Sequence, residues 1–124
     1  MVRSYEKNSN PLRVLPQSQG FHFFIAVGHY CGVTSNSLEE FANVLQYICS
    51  EAISFHFERG DFQNWIRDVK GDMKLAQEID EIKMCSRQLS DEYCRKEIAQ
   101  RVNIRILQLE VEKGNSCFSK QEAK

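Results

Sequence analysis

The sequence predicts a mainly α-helical fold: a single-domain bundle of four to five helices with a short β or extended segment near the N-terminus. Three observations predict it. Apolar residues recur at three- and four-residue steps through most of the chain after residue 37. Glycine–aspartate pairs interrupt that pattern twice, as helix stop and start signals do. The length of 124 residues allows one hydrophobic core and leaves no room for a second domain.

The N-terminal part of the chain changes character at Gly20. Residues 1–19 are polar, contain both prolines and show no sustained period, so they are predicted to form an extended arm. Residues 21–27 are aromatic and β-branched and lie between two glycines, which predicts a short strand. Residues 28–32 are then expected to form a turn or loop. Residues 20–113 are assigned to one helical domain.

A capping box predicts the start of the first helix. The Ser37 hydroxyl is expected to accept from the Glu40 backbone N–H, while the Glu40 side chain accepts from the Ser37 N–H. Residues 51–59 are ambiguous, because Ile53, Phe55 and Phe57 alternate as in a strand, whereas Ile53, His56 and Phe57 share a helical face. A helix is favoured.

Two short helices are predicted in the middle of the chain. Gly60–Asp61 and Gly71–Asp72 each combine a C′ glycine with an N-cap aspartate. Between the pairs lies the clearest apolar stripe of the sequence, formed by Phe62, Trp65, Ile66 and Val69. A further helix continues after Asp72 to about residue 85.

A final helix is predicted from the N-cap Ser90 to about residue 113. Gly114–Asn115 is expected to end it and to leave residues 114–124 as a flexible tail. Ile104, Leu107 and Val111 give this helix a second apolar edge, which predicts contact with a protein partner or with a second copy of the chain. The predicted core consists of Phe41, Leu45, Ile48, Ile53, Phe57, Phe62, Trp65, Ile66, Leu75, Ile79, Ile98 and Val102.

Composition argues against nucleic acid and membrane partners. The net charge is −1, and the arginines of the last helix, Arg101 and Arg105, are interleaved with acids rather than clustered. The N-terminus lacks the apolar region of a secretory signal, and the longest strongly apolar run, residues 23–27, is far too short to span a bilayer. A cytoplasmic location is therefore expected.

The cysteines do not predict a metal or redox motif. Five cysteines occur, an odd number, without C-x-x-C spacing, and we expect Cys49, Cys85 and Cys94 to be small buried or half-buried packing residues. His22, His29 and Cys31 form a small cluster, but a zinc site would need further ligands, with Cys49 or His56 as candidates. No metal or cofactor is predicted.

The segment from residue 56 to residue 68 concentrates the residue types that form binding sites. Its candidate ligand-binding residues are His56, Arg59, Asp61, Trp65 and Arg67. In a cleft, the two arginines would clamp an anion and His56 would carry a proton. The alternative, which is favoured, is that Trp65 and His56 belong to the core and that Arg67 and Asp68 face solvent.

No catalytic residue is predicted. The sequence contains no G-x-S-x-G elbow, phosphate-binding G-x-x-x-x-G-K-[ST] loop or H-E-x-x-H motif, and nothing selects one Cys–His pair over another.

Residues 20–80 resemble a family of small archaeal and bacterial domains of unknown function. The matching features are an aromatic strand, a loop with glycine and tyrosine, and three motifs further along the chain, which read here Phe21–His22–Phe23, Gly28, Tyr30, Gly32, Ser37 to Phe41, Phe55–His56 and Asp61 to Ala76. The resemblance implies that His56, Asp61, Trp65 and Gly71–Asp72 belong to the family's pattern. It implies no activity.

The function expected from these observations is that of a non-enzymatic protein-interaction module that associates with a partner, or with itself, through the last helix. The second interpretation is a small enzyme or an anion- or ligand-binding protein that uses residues 56–68.

Overall fold

A computed structural model describes residues 10–85 and 90–122 of the chain. The described part contains five α-helices and one two-stranded antiparallel sheet, which confirms the predicted mainly α fold. After a short 3-10 turn, Gln17–Gln19, the elements are β1 (Phe21–Ala26), β2 (His29–Ser35), α1 (Leu38–Leu45), α2 (Ser50–Arg59), α3 (Asp61–Asp68), α4 (Met73–Cys85) and α5 (Asp91–Glu122).

The turn or loop predicted at residues 28–32 is confirmed only at Gly28 and is wrong for residues 29–32, because the chain forms a hairpin there. β2 begins at His29 and pairs with β1 in an antiparallel register that joins Phe21 to Ser35 and Ala26 to His29. Gly28, with φ of 80°, permits the tight reversal, so only two residues separate the strands. Of the two glycines that indicated a loop, Gly28 lies in the two-residue turn and Gly32 lies within β2.

The capping box at α1 forms only in part. The Ser37 hydroxyl accepts from the Glu40 backbone N–H at 3.1 Å, as predicted. The Glu40 carboxylate accepts instead from the backbone N–H of Asn36, at 2.6 Å. The helix starts where the sequence predicted, but the Glu40 side chain binds the N–H of Asn36 instead of that of Ser37.

The two glycine–aspartate pairs differ in the role of the aspartate. Gly71 has φ of 77°, and Asp72 caps α4 by accepting from the Leu75 N–H at 3.1 Å. Asp61 is not an N-cap, so that prediction is wrong: Gly60 itself lies between α2 and α3, and Asp61 is already the first residue of α3. Because Gly60 alone separates the two helices, Asp61 falls inside α3 and its carboxylate is available for other side chains.

Residues 51–59 are helical, as favoured. The start predicted for the last helix is also confirmed, because the Ser90 hydroxyl caps α5 by accepting from the Tyr93 N–H at 3.1 Å.

The predicted end of the last helix near residue 113 is wrong, since α5 continues to Glu122. A glycine costs a helix only about 1 kcal/mol and ends it only where the backbone turns left-handed. Gly114–Asn115 therefore weakens this helix without ending it.

The core contains every residue predicted for it, together with others. All twelve predicted core residues are buried, and they pack with Phe21 and Phe23 of β1 into one cluster. The rings of Phe21, Phe41, Phe62 and Trp65 contact one another, with centroids 5.2–5.6 Å apart. This aromatic cluster packs the hairpin against α1 and α3.

The described part of the N-terminal arm is held against the body of the protein. Leu15 is buried, and its backbone exchanges hydrogen bonds with Asn36. The Arg13 guanidinium donates to the backbone carbonyls of Val69 and Lys70, and the Lys70 ammonium donates to the Arg13 carbonyl. Lys70, which follows α3, is thus buried beneath the arm.

Cys94 is buried as predicted, whereas Cys49 is exposed, so the packing role predicted for Cys49 is wrong. The side chain of Cys85 lies outside the described residues.

None of the described helices is long and apolar enough to cross a membrane.

Candidate binding cleft

A cleft of about 550 Å³ opens between the hairpin and the helix pair α2–α3. Its volume falls within the usual size range for small-molecule sites, about 300–1,000 Å³. The cleft is lined by Gly20, Phe21, His22, Phe24, Val27, Gly28, Phe55, His56, Arg59, Asp61, Asn64, Trp65, Asp68 and Val69.

Helical periodicity builds one side of the cleft. Asp61, Asn64, Trp65 and Asp68 follow the i, i+3, i+4, i+7 spacing, so α3 turns all four toward the same side. Three of the four side chains are polar. The opposite side comes from the hairpin, through Phe24 and the turn after it, and is largely apolar. A bound molecule would therefore meet a polar edge and an apolar wall.

His56 forms the floor of the cleft and is only 3% exposed. Its Nε2 accepts the backbone N–H of Phe24 at 2.8 Å, and its Nδ1 lies 2.8 Å from Oδ2 of Asp61. Because Nε2 must be unprotonated to accept, Nδ1 carries the proton and donates it to Asp61. The register of the sheet is irregular on both sides of Phe24, where this N–H turns to the histidine.

The charge state of His56 follows from the same geometry. Burial lowers the pKa of His56 below its ordinary 6.5, and the hydrogen bond to Asp61 offsets this only in part. Protonation of Nε2 would also set two N–H groups against each other at Phe24. His56 is therefore a neutral histidine that ties α2 to β1, and the geometry does not suit the proton-carrying role considered from the sequence.

Asp61 joins two helices. Its Oδ2 accepts from His56 and also from Nε of Arg59, at 3.0 Å. The Arg59 guanidinium lies over the Phe55 ring, 4.8 Å from its centroid, which is cation–π geometry. With 52% of its side chain exposed, Arg59 keeps its terminal nitrogens at the rim of the cleft.

Arg67 supports the polar edge from outside the cleft. Its guanidinium donates to Oδ1 of Asn64 and, at 3.3 Å, to Oδ1 of Asp68. Both acceptors line the cleft, whereas Arg67 is not among the lining residues. The Asn64 amide nitrogen and the second Asp68 oxygen take part in neither of these two hydrogen bonds.

The structure therefore brings together four of the five candidate residues, His56, Arg59, Asp61 and Trp65, and places Arg67 behind them. Trp65 satisfies both interpretations made from the sequence. It is 7% exposed and packs in the aromatic cluster, donates its indole N–H to the Gln19 carbonyl at 3.0 Å, and still borders the cleft.

Sequence reasoning missed Asn64 as a cleft residue and assigned Asp68 to a solvated face. The signal for both was their spacing from Asp61 and Trp65 on α3. It also missed His22, Phe24 and Phe55. No pattern of neighbouring residues identifies these three residues. They reach the cleft because β1 pairs with β2 and the hairpin packs on α2.

The histidine–cysteine cluster considered for zinc does not assemble. Nδ1 of His22 is hydrogen-bonded to the Thr34 hydroxyl at 2.8 Å, and Nδ1 of His29 lies 3.2 Å from the Val27 carbonyl oxygen. Within residues 10–85 and 90–122, no group of three or more His, Cys, Asp or Glu side chains is arranged to hold a metal ion.

Comparison with known proteins gives a family and no activity. A family described as "Family of unknown function (DUF5752)" matches residues 1–103, beyond the 20–80 span of the resemblance noted from the sequence. No curated protein and no solved structure matches the chain.

Proposed function

The chain belongs to the family of unknown function DUF5752, and we propose that it is a non-catalytic binding protein whose cleft takes a small molecule with an apolar, planar body and an N–H donor group. The observation that carries this proposal is the cleft itself, in which a row of polar side chains on α3 faces an aromatic and aliphatic wall.

The apolar wall supports the planar body. Phe24, Phe55 and Trp65 supply ring surface at the cleft, and all three are positioned by packing within the aromatic core or against His56. Rigid aromatic surface binds flat apolar groups with little loss of conformational freedom on the protein side.

The lining charges support an N–H donor rather than an anion. Two carboxylates, Asp61 and Asp68, line the cleft against one guanidinium, that of Arg59. Arg59 already pairs with Asp61, which weakens its attraction for a second anion, whereas Asp68 contacts Arg67 through Oδ1 alone and keeps a largely exposed carboxylate. The anion clamp of Arg59 and Arg67 considered from the sequence is thus less well supported than a site for an amine.

The first test is a titration of the single tryptophan, Trp65, whose fluorescence reports on the cleft. Two probes of similar size and opposite charge are compared, 2-phenylethylamine and 3-phenylpropanoate, with excitation where neither absorbs. We expect 2-phenylethylamine to change the emission with a dissociation constant on the order of millimolar, as for a fragment, and 3-phenylpropanoate to bind at least about tenfold more weakly.

A charge-matched pair of variants identifies the source of that preference. Asp68→Asn removes a lining carboxylate, and Glu81→Gln removes an exposed one on α4 that is not among the lining residues. Asp68→Asn should weaken 2-phenylethylamine several-fold, and Glu81→Gln should not. Equal affinity for the two probes in the wild type, or equal loss in the two variants, contradicts the proposal.

A second candidate function is self-association through the edge of α5. Ile104, Leu107 and Val111 form a stripe in which each side chain is exposed, Leu107 to 61%. Exposed Lys96 precedes this stripe and exposed Glu110 lies within it, each seven residues from Asn103. In a two-fold antiparallel pair centred on Asn103, Lys96 of each copy lies beside Glu110 of the other, which favours a second copy as the occupant.

Sedimentation velocity tests this candidate. The wild type is expected to form a dimer at micromolar concentration, and Leu107→Glu is expected to be monomeric because it buries a charge in the interface. Met73→Glu, at an exposed apolar position on α4, serves as the matched control and should remain dimeric. A monomeric wild type across this concentration range removes the candidate.

A cytoplasmic location is part of the proposal and rests on the thiols. Cys31, Cys49 and Cys94 are all unpaired, as is usual for proteins of reducing compartments.

A further inference from the structure

His22 brings a polar group to the hairpin side of the cleft. It lies in β1 two residues before Phe24, is half-buried and lines the cleft. Among the described hairpin residues that line the cleft, His22 alone has a polar side chain. The carboxylates of Asp61 and Asp68 line the cleft from α3. A molecule in the cleft therefore has polar groups of the protein on both sides of its body.

Two contacts within the hairpin hold the imidazole ring of His22. Its Nδ1 lies 2.8 Å from Oγ1 of Thr34, which is in β2, and the same oxygen lies 2.6 Å from the Tyr30 hydroxyl. The rings of His22 and Tyr30 also meet edge to face, with centroids 6.1 Å apart and an interplanar angle of 76°. Because the ring is oriented before a ligand arrives, little conformational freedom is lost on binding.

The second ring nitrogen of His22 is not used within the part of the chain that the structure describes. There, Nε2 of His22 has no hydrogen-bond partner, in contrast to His56, whose two ring nitrogens are both bonded. In a neutral imidazole one nitrogen donates and the other accepts, so Nε2 takes the role opposite to that of Nδ1 toward Thr34. A hydroxyl group both donates and accepts, and it therefore fits Nε2 in either tautomer.

We propose that Nε2 of His22 recognises a hydroxyl group on the molecule that the cleft binds, and that this molecule is a hydroxyaryl amine. Its amine pairs with the carboxylates of α3, and its hydroxyl lies at the opposite end of the planar body, against β1. This inference rests on the proposed function, because it needs a small molecule in the cleft. His22 would act as a specificity residue, since an unpaired hydroxyl beside the apolar wall is unfavourable.

The test compares two amines of equal charge and nearly equal size, 2-(4-hydroxyphenyl)ethylamine and 2-(4-methylphenyl)ethylamine. Each is titrated into the ¹⁵N-labelled full chain, and its affinity is obtained from the amide shifts. We expect the hydroxyl compound to bind at least about threefold more tightly, as one additional neutral hydrogen bond allows. The ring ¹⁵N signal of Nε2 of His22 should also shift more with the hydroxyl compound than with the methyl compound.

Two variants of the hairpin histidines supply the control. His22→Phe keeps a ring at this position without its nitrogens, and it should bind both amines with similar affinity. His29→Phe changes an exposed histidine that is not among the lining residues, and it should keep the preference for the hydroxyl compound. The Nε2 signal is measured in the wild type, so that part of the test does not depend on the folding of a variant.

The outcomes separate this inference from the proposed function. Equal affinity of the two amines for the wild type, an Nε2 signal that responds equally to both, or a preference that survives His22→Phe would overturn the role of His22 alone. Binding of neither amine would overturn the proposed function and the role of His22 together.

Discussion

Two buried ionisable side chains, His56 and Lys70, are stabilised by different means. His56 satisfies both ring nitrogens and remains neutral, so its burial is tolerated. Lys70 is 0% exposed, and its ammonium donates to the Arg13 carbonyl without a carboxylate partner among the described residues. Burial, aided by the nearby Arg13 guanidinium, lowers the pKa of Lys70 from 10.5 to about 8.

The Lys70 shift predicts a dependence of stability on pH. Because the folded-state pKa lies below the unfolded value, the folded state disfavours the charged form, and the free energy of unfolding rises as pH increases from about 8 to 10.5. The wild type should gain about 3 kcal/mol relative to Lys70→Met between pH 7 and pH 11. Urea denaturation of both proteins across this range measures the difference, and a difference that stays constant with pH contradicts the assignment.

At the scale of the element, the two glycine–aspartate pairs show what local sequence specifies. Both glycines adopt the left-handed conformation that ends a helix, as the pattern predicted. The two aspartates have different roles because one residue lies between α2 and α3, whereas four lie between α3 and α4. Asp72 has room to act as a cap, whereas Asp61 falls inside α3 and binds His56 and Arg59 instead.

These different roles predict that substitution of the two aspartates by alanine lowers the free energy of unfolding by different amounts. Asp72→Ala removes the cap of α4 and a buried ion pair, in which Oδ2 lies 2.8 Å from Nε of Arg105, and should cost about 3 kcal/mol. Asp61→Ala leaves the helix start intact and removes an acceptor from His56, so about 1–2 kcal/mol is expected. Equal losses in urea denaturation, or a larger loss for Asp61→Ala, would contradict these roles.

Helices and their starts were predictable because periodicity and caps are local. The start of α1 at Ser37, the start of α5 at Ser90 and the stripe of α3 all follow from neighbouring residues. β2 could not be predicted in this way, because a strand depends on the strand with which it pairs. The end of α5 was also missed, because a glycine stops a helix only through its conformation.

At the scale of the whole molecule, burial was more predictable than the site. Apolar side chains such as Phe41 and Ile98 must be covered in any compact arrangement, and every residue of the predicted core is buried. The cleft depends on where the hairpin lies relative to α2 and α3. The segment of residues 56–68 was identified from its chemistry, but the wall that Phe24 and Phe55 provide is a product of tertiary packing.

The most direct measurement of the central claim is a titration of the ¹⁵N-labelled wild-type chain with 2-phenylethylamine, followed by amide ¹H–¹⁵N spectra. The cleft proposal predicts saturable shifts confined to residues 20–28 and 55–69, with residues 103–111 of α5 unchanged. Shifts that are absent, that do not saturate, or that centre on the α5 edge would contradict it.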